Sequence, residues 1–284
     1  MSGRPRPRRR CGGHARRPGV PLRQRVGGRL PSRGRLLALL AFAVGVAGMV
    51  TLVNGPWLRI SSVAHAGARY TAPGALDEIV ASYRGVSLLS LDTGAVRQRL
   101  LALPAVADAR VETTLPGTLQ VTIAEKKPTL VWRTQLAQLV VAADGSIMDS
   151  RATSEVLSGE LGRLPVITDL RPLSRIPRAG DALPAADVRL ADRLLDLDPK
   201  VIGSRAKRLS VTVDNEYGFV IESPSPPWRA ALGFYELDPV EDQAAADARL
   251  DQQLAAIRTL FAQRQEWAVS WLDARNPGKV YWAP

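Results

Sequence analysis

No charged residue lies between Arg35 and Arg59, and residues 36–53, LLALLAFAVGVAGMVTLV, are almost wholly apolar. A helix made from such a run must bury its entire surface. Roughly 20 apolar residues cross a bilayer, and this stretch reaches that length when Asn54–Leu58 occupy the far interface. The anchor is therefore read as residues 36–58, with Trp57 at the height of an aromatic belt and Pro56 ending the helix. The flanks orient it. Twelve Arg, no Lys and no acid fall within residues 1–35, while only Arg59 and Arg69 follow the span closely. By the positive-inside rule the N-terminus stays in the cytoplasm and residues 59–284 lie outside, a single-pass type II layout in the cell membrane. A cleavable signal peptide is the rival, since Ala64-His65-Ala66 fits a small-residue cleavage site. That site, however, lies far beyond the apolar run, and the run is longer than a signal core of about 7–15 residues. Ala38, Ala41, Gly45 and Gly48 share one helix face, which suits packing against another membrane helix or reflects ordinary membrane-helix composition; both readings stay open.

The charge balance follows the same division. The chain of 284 residues carries 38 Lys+Arg and 27 Asp+Glu, a formal +11. Setting the twelve tail arginines aside leaves 26 basic against 27 acidic residues, so the excess sits in residues 1–35. This excludes a basic stripe across a folded face, and with it most double-strand readers. The Arg-, Gly- and Pro-rich tail buries too little to order itself and is read as disordered. It has no aromatic residue to stack on a base, so a positive flank for membrane insertion is preferred to RNA binding. Cys11 is the one cysteine, and His14 and His65 are the only histidines. An intramolecular disulfide is excluded and a Cys/His metal site has no material.

After the anchor, the pattern predicts an α+β module in about 70 residues. Leu58–Ala66 reads as a strand. Leu76, Ile79, Val80 and Tyr83 share a helix face, with Gly85 as its cap. Asp92 caps a second helix bearing Val96, Leu100 and Leu103, and Pro104 stops it. Ala107, Ala109 and Val111 alternate with Asp108, Arg110 and Glu112. After a Leu115-Pro116-Gly117 turn, Leu119, Val121 and Ile123 alternate with polar neighbours.

These residues resemble a known domain. Val63–Gly67, Gly85–Asp92, the Leu103-Pro104-Ala105-Val106 junction before Ala109-Arg110-Val111, and Leu115–Leu119 with Val121–Pro128 are similar to the segments of a POTRA domain, in the same β-α-α-β-β order. An inward-rooted anchor followed by one POTRA domain is the layout of the FtsQ/DivIB family of bacterial cell-division proteins. The organisation implied is a tail, 1–35; an anchor, 36–58; a POTRA domain, 59–127; and an FtsQ-type β domain, 128–284. His65 stands where the family usually has a core aliphatic, and it is read as a partly covered histidine near a sheet edge rather than a proton switch.

Beyond residue 127 the pattern is patchier. Leu130-Val131-Trp132 and Leu139-Val140-Val141 are β-rich, and Asp144-Gly145 turns before Ile147-Met148. The family's second domain opens similarly, although Ala142 replaces the usual Asp of its turn. Residues 149–185 read mostly as loop. Asp187–Leu197 suits a helix with Val188, Leu190, Ala191, Leu194 and Leu195 on its apolar side. Leu209, Val211 and Val213 pair with Phe219 and Ile221 around Asp214-Asn215, and Ser223–Pro227 breaks the chain. From Gln243 a helix carries the stripe Leu250, Leu254, Ile257 and Phe261. Trp267–Arg275 and Lys279–Trp282 read as closing strands around Asn276-Pro277-Gly278.

No catalytic motif is present: there is no G-x-S-x-G, H-E-x-x-H or phosphate-binding loop, and one exported histidine is too little for a histidine-dependent hydrolase. The adjacent acids Asp77-Glu78 and Glu241-Asp242 suit helix starts. A non-enzymatic, membrane-anchored interaction scaffold at the division septum, with no cofactor, is the expectation. An exported wall-processing enzyme and a nucleic-acid binder acting through the tail are its alternatives. The resemblance implies small single-pass division partners of the FtsB/DivIC and FtsL kinds, one of which adds a strand to an open sheet edge. The residues expected there are Ser270, Leu272, Arg275, Lys279, Val280, Tyr281 and Trp282, with the two aromatics as anchors and Arg275 and Lys279 facing an acidic segment.

Overall fold

The computed structural model describes residues 33–55, 58–235 and 243–284. The expectations for the tail up to Ser32, for Pro56 and Trp57, and for Glu241 and Asp242 lie outside the described residues. The first helix, α1, runs from Arg33 to Asn54. Its 22 residues span about 33 Å at about 1.5 Å each, the thickness of a hydrocarbon layer. The side chains of Leu36 to Val50 are all exposed, as lipid-facing residues must be. The Thr51 hydroxyl donates to the carbonyls of Ala47 and Gly48, so this polar group is satisfied within the helix.

The module that follows holds β1 (Ser62–Ala66), α2 (Pro73–Ala81), α3 (Thr93–Leu101), β2 (Val106–Thr114) and β3 (Thr118–Glu125). The sheet order is β1-β3-β2, with β1 parallel and β2 antiparallel to β3. Leu76, Val80, Val96, Leu100, Leu119, Val121 and Ile123 fill its core. Asp92 caps α3 as its sequence predicts, accepting from the Ala95 N–H at 3.1 Å. Two expectations are corrected. β1 begins at Ser62 rather than Leu58, because Ile60 donates to Val86 and Leu88 donates to Leu58 across the turn between the helices. Ala107 is exposed, not core-facing, because a bulge between Val106 and Asp108 shifts the alternation by one residue. His65 is exposed on the edge strand β1, 3.1 Å from Asp77.

Residues 128–284 build one nine-stranded mixed sheet. Its strands are β4 (Pro128–Arg133), β5 (Ala137–Ala142), β6 (Ile147–Ala152), β7 (Val166–Asp169), β8 (Ser210–Asp214), β9 (Gly218–Pro224), β10 (Pro227–Gly233), β11 (Trp271–Asp273) and β12 (Tyr281–Ala283). Their order across the sheet is β12-β11-β10-β9-β8-β7-β4-β5-β6. Helices α4 (Ala185–Leu195) and α5 (Gln243–Gln263) contribute Val188, Ala191, Leu194, Leu250, Leu254 and Ile257 to the same core as Leu130, Trp132, Val213, Phe219 and Leu272. Trp132 stands edge-on to Phe219 at 6.4 Å and donates its indole N–H to Asp169 at 2.9 Å, so the buried polar end of the ring is satisfied.

Two sequence expectations fail here, and the reading of 149–185 as mostly loop is incomplete. The stretch read as loop contains β7, a four-residue central strand paired in parallel with both β4 and β8. Ser223–Pro227 does not break the sheet: it turns β9 into β10, with the prolines at the strand ends where a missing N–H costs no ladder bond. The predicted strand 267–275 shrinks to Trp271–Asp273 because Glu266–Ala268 coil into a single 3-10 turn.

The two sheets are tied together around residues 69–71. Glu125, at the end of β3, accepts the backbone N–H groups of Arg69, Tyr70 and Thr71 at 2.6–2.8 Å. Tyr70 then packs with Ala105, Val140, Ala142 and Met148, and its hydroxyl donates to Glu160 at 2.8 Å.

Candidate partner-binding edge

β11 and β12 exist because α5 and the turn after it hold the end of the chain against β10. On α5 the stripe Leu250, Leu254 and Ile257 is buried, as predicted, and Phe261 is half-buried. Gln253, one position off that stripe, is also fully buried. Its amide donates to Leu232 of β10 at 2.9 Å and its oxygen accepts the Tyr235 hydroxyl. Burial pushes the Tyr235 phenol far above its ordinary range, so it remains a donor at any physiological pH. Glu266 is buried as well. It accepts from Trp228 Nε1 at 2.7 Å, from the Arg205 N–H at 2.9 Å and from the Ser204 hydroxyl. This carboxylate fixes the turn that feeds Val269 into the core and Trp271 into the sheet. Neither anchor is legible in the sequence. Gln253 gives at most a weak signal, a polar residue next to an apolar stripe, and Glu266 gives none.

The main-chain geometry identifies which groups of β12 face outward. Arg229 donates to the Ser270 carbonyl and Ala274 donates to Ala231, so Leu272 and Ala274 turn their backbone groups toward β10, while the Ser270 N–H donates to Ala283 of β12. Residues 271 and 273 therefore face β12, where they lie opposite Ala283 and Tyr281. By strand alternation the N–H and C=O of Trp282 point away from the sheet, and those of Val280 come next on that side. Among the described residues β12 has β11 as its one strand neighbour.

The seven expected residues divide accordingly. Tyr281 is 59% exposed and Trp282 38% exposed, one on each face of the edge strand. Trp282 lies on the face of Leu272, its ring 4.8 Å from the Arg264 guanidinium at the end of α5. Lys279 is exposed and Val280 packs partly against the core. Leu272 is not on the edge: it is fully buried beside β10. Ser270 is exposed and is bonded to the β12 end, its N–H donating to Ala283 at 3.0 Å and its hydroxyl to the Pro284 carbonyl at 2.6 Å. Arg275 is not a free cation either. Its guanidinium holds Asp273 at 2.6–3.1 Å and lies over the Tyr217 ring. The side-chain hydrogen bond from Arg275, more than the accompanying backbone bond and charge attraction, keeps the Asp273 carboxyl below its ordinary range. Arg264, which the sequence did not single out, is the cation that stands beside the exposed edge. Among the described residues no group of His, Cys, Asp and Glu side chains is placed to hold a metal ion.

Comparison with known proteins converges on one family. Residues 58–126 match the family model described as "POTRA domain, FtsQ-type". The chain is 27% identical over 257 residues to a cell division protein FtsQ of Chloroflexus aurantiacus, covering 87% of this chain and 82% of that one. It is 35% identical over 111 residues to the FtsQ of Bradyrhizobium diazoefficiens, covering 38% of this chain and 31% of the relative. With the FtsQ of Streptomyces bingchenggensis it shares 36% identity over 103 residues, 35% of this chain and 39% of that one. The sequence resemblance is thus matched both by the domain model and by similarity along most of the chain.

Proposed function

Starting from a chain that belongs to the FtsQ/DivIB family of bacterial cell-division proteins, we propose that it is a membrane-anchored divisome scaffold. It works by binding other division proteins and not by catalysis. α1 anchors it with the N-terminus in the cytoplasm, and the two sheets lie outside at the septum. The working division is a tail at 1–35, an anchor in the bilayer at 36–58, a POTRA domain at 59–127 and a β domain at 128–284.

One observation carries the binding mode: β12 ends the nine-stranded sheet with outward main-chain groups and two partly exposed aromatics. An extended segment of a small single-pass partner, of the FtsB/DivIC or FtsL kind, pairs with that edge through backbone hydrogen bonds. Trp282 and Tyr281 supply its side-chain anchors, and Arg264 with Lys279 favours acidic residues beside them. Leu272 from beneath and Ser270 at the strand end act as the support of β12. The test is capture of partners by the tagged full chain from detergent-solubilised membranes, read by mass spectrometry. Small single-pass division proteins are recovered with the wild type and lost with Val280→Pro, which removes an outward donor. Recovery at wild-type levels with both Val280→Pro and Trp282→Ala rejects the edge as the binding site.

A further inference from the structure

Two leucines on turn tips of the small module are among its most exposed apolar side chains. Leu89, in the turn between α2 and α3, is 63% exposed, and Leu115, in the β2–β3 hairpin turn, is 72% exposed. Both turns are bonded to the segment through which the chain enters the module. Residues 58–60 run antiparallel to 86–88: Leu88 donates to Leu58 at 2.7 Å, Ile60 to Val86 at 2.9 Å and Gly85 to Ile60 at 2.9 Å. Ser90 donates back to Ser87 at 3.1 Å, so the chain reverses at Leu88-Leu89 and Leu89 sits on the tip of that turn, beyond the last bonded pair with Leu58. On the other side the Gly117 carbonyl accepts from Ser61 and Ser62 at 2.9 and 3.2 Å. β3 then starts at Thr118, level with Ser62 and parallel to β1. The turn that carries Leu115 therefore precedes Ser62 at the same end of the sheet. Arg59, exposed, lies between the two tips.

We infer that the Leu89 and Leu115 tips insert into the outer headgroup layer of the bilayer, with Arg59 at the level of the lipid phosphates. Chain length sets the reach: Asn54 ends α1, and the four residues to Leu58 span at most about 14 Å. The headgroup layer itself is about 5–8 Å deep on each side of the hydrocarbon. Tips that project toward the point of entry are within reach of that layer. Leucine is favoured in the interface, and a cation meets the phosphates there. The module is thereby held at two points in addition to its tether, which restricts its rotation about the chain.

This inference rests on the reading of α1 as a membrane span, so the experiment tests both. Single cysteines replace Leu89, Leu115, Gly45 in α1, or Val156, in full-length protein carrying Cys11→Ser. Val156 is 84% exposed on the large sheet's module and serves as the reference. Each is labelled with an environment-sensitive fluorophore and reconstituted in vesicles of phosphatidylethanolamine and phosphatidylglycerol containing lipid spin-labelled near the headgroup for positions 89, 115 and 156, or near the acyl-chain end for position 45. All four replaced side chains are exposed, so thermal unfolding stays at the wild-type value and checks the fold. The labels at positions 89 and 115 lose about half of their emission to headgroup-proximal quencher, while the label at 156 loses almost none. Quenching at position 45 without quenching at 89 and 115 overturns the docking and leaves the anchor standing. Absence of quenching at 45 removes the anchor and the docking together.

Discussion

The nine-stranded sheet ends differently on its two sides. At the start of β6 the outer backbone is occupied: Ile147 donates to Asp181 and accepts from Gly180, Ser146 bridges Ala182, and further along the Ser150 hydroxyl donates to Pro177. The segment 177–183 closes that side as an irregular extra strand. At β12, Tyr281 and Ala283 face inward to β11, and Trp282 turns its backbone groups out between two aromatic rings. Unpaired strand edges invite association, and proteins ordinarily cover them. Among the described residues one end of the sheet is covered by the chain's own loop and the other carries no further strand, and the proposed binding mode uses that second edge. The small sheet follows the structural pattern too: on β2, Arg97 donates to the Ala109 carbonyl at 2.9 Å and pairs with Asp108.

Five substitutions test this contrast. The largest effect belongs to Leu272→Asp, which places an unpaired carboxylate beneath the open edge in a fully buried site. A stability loss above about 3 kcal/mol is expected in urea unfolding of the detergent-solubilised chain, whereas Tyr281→Asp on the exposed strand moves stability by less than about 0.5 kcal/mol. Equal losses would mean that β12 is as buried as β11. Trp282→Ala comes next, with a loss of about 2 kcal/mol of partner affinity, ~30-fold in Kd. Its unfolding midpoint stays put, and a shifted midpoint with intact binding would reverse the assignment.

The closed edge is tested by Gly145→Ala. Gly145 sits at φ +86° and a β-carbon there would approach the Leu183 carbonyl oxygen to 2.4 Å. The cost is about 1–3 kcal/mol, with faster amide exchange at Ile147 and Gly180 and unchanged partner binding. The smallest effect is electrostatic. Asp273 has a lowered pKa in the folded state, so its contribution is complete above its ordinary carboxylate value and fades as pH falls below about 4. Arg275, its partner, is 41% exposed, which limits the pair to less than about 1 kcal/mol. Asp273→Asn flattens that acid limb at the β11–β12 end, as read by thermal unfolding between pH 3 and 6.

Regular, local signals were legible from residue order. The uncharged span gave α1, the 3.6-residue stripes gave α2 to α5, and strict alternation gave β3, β8 and β9, because each of these depends on neighbours a few positions away. Signals that depend on distant partners were not. β7 is four residues long, and it is a strand because β4 and β8 flank it. Ala107 reads as core until the bulge at Val106 displaces it. Ser270, Leu272 and Arg275 look like their edge neighbours in sequence, yet the register of β11 between β10 and β12 turns them into support. Composition and periodicity could reach the anchor, the fold class and the position of the last strand. Which strand edges are covered was decided by where the 177–183 segment and Arg97 find carbonyls to pair with, and hydrogen bonds between residues a dozen or more positions apart leave no period to read.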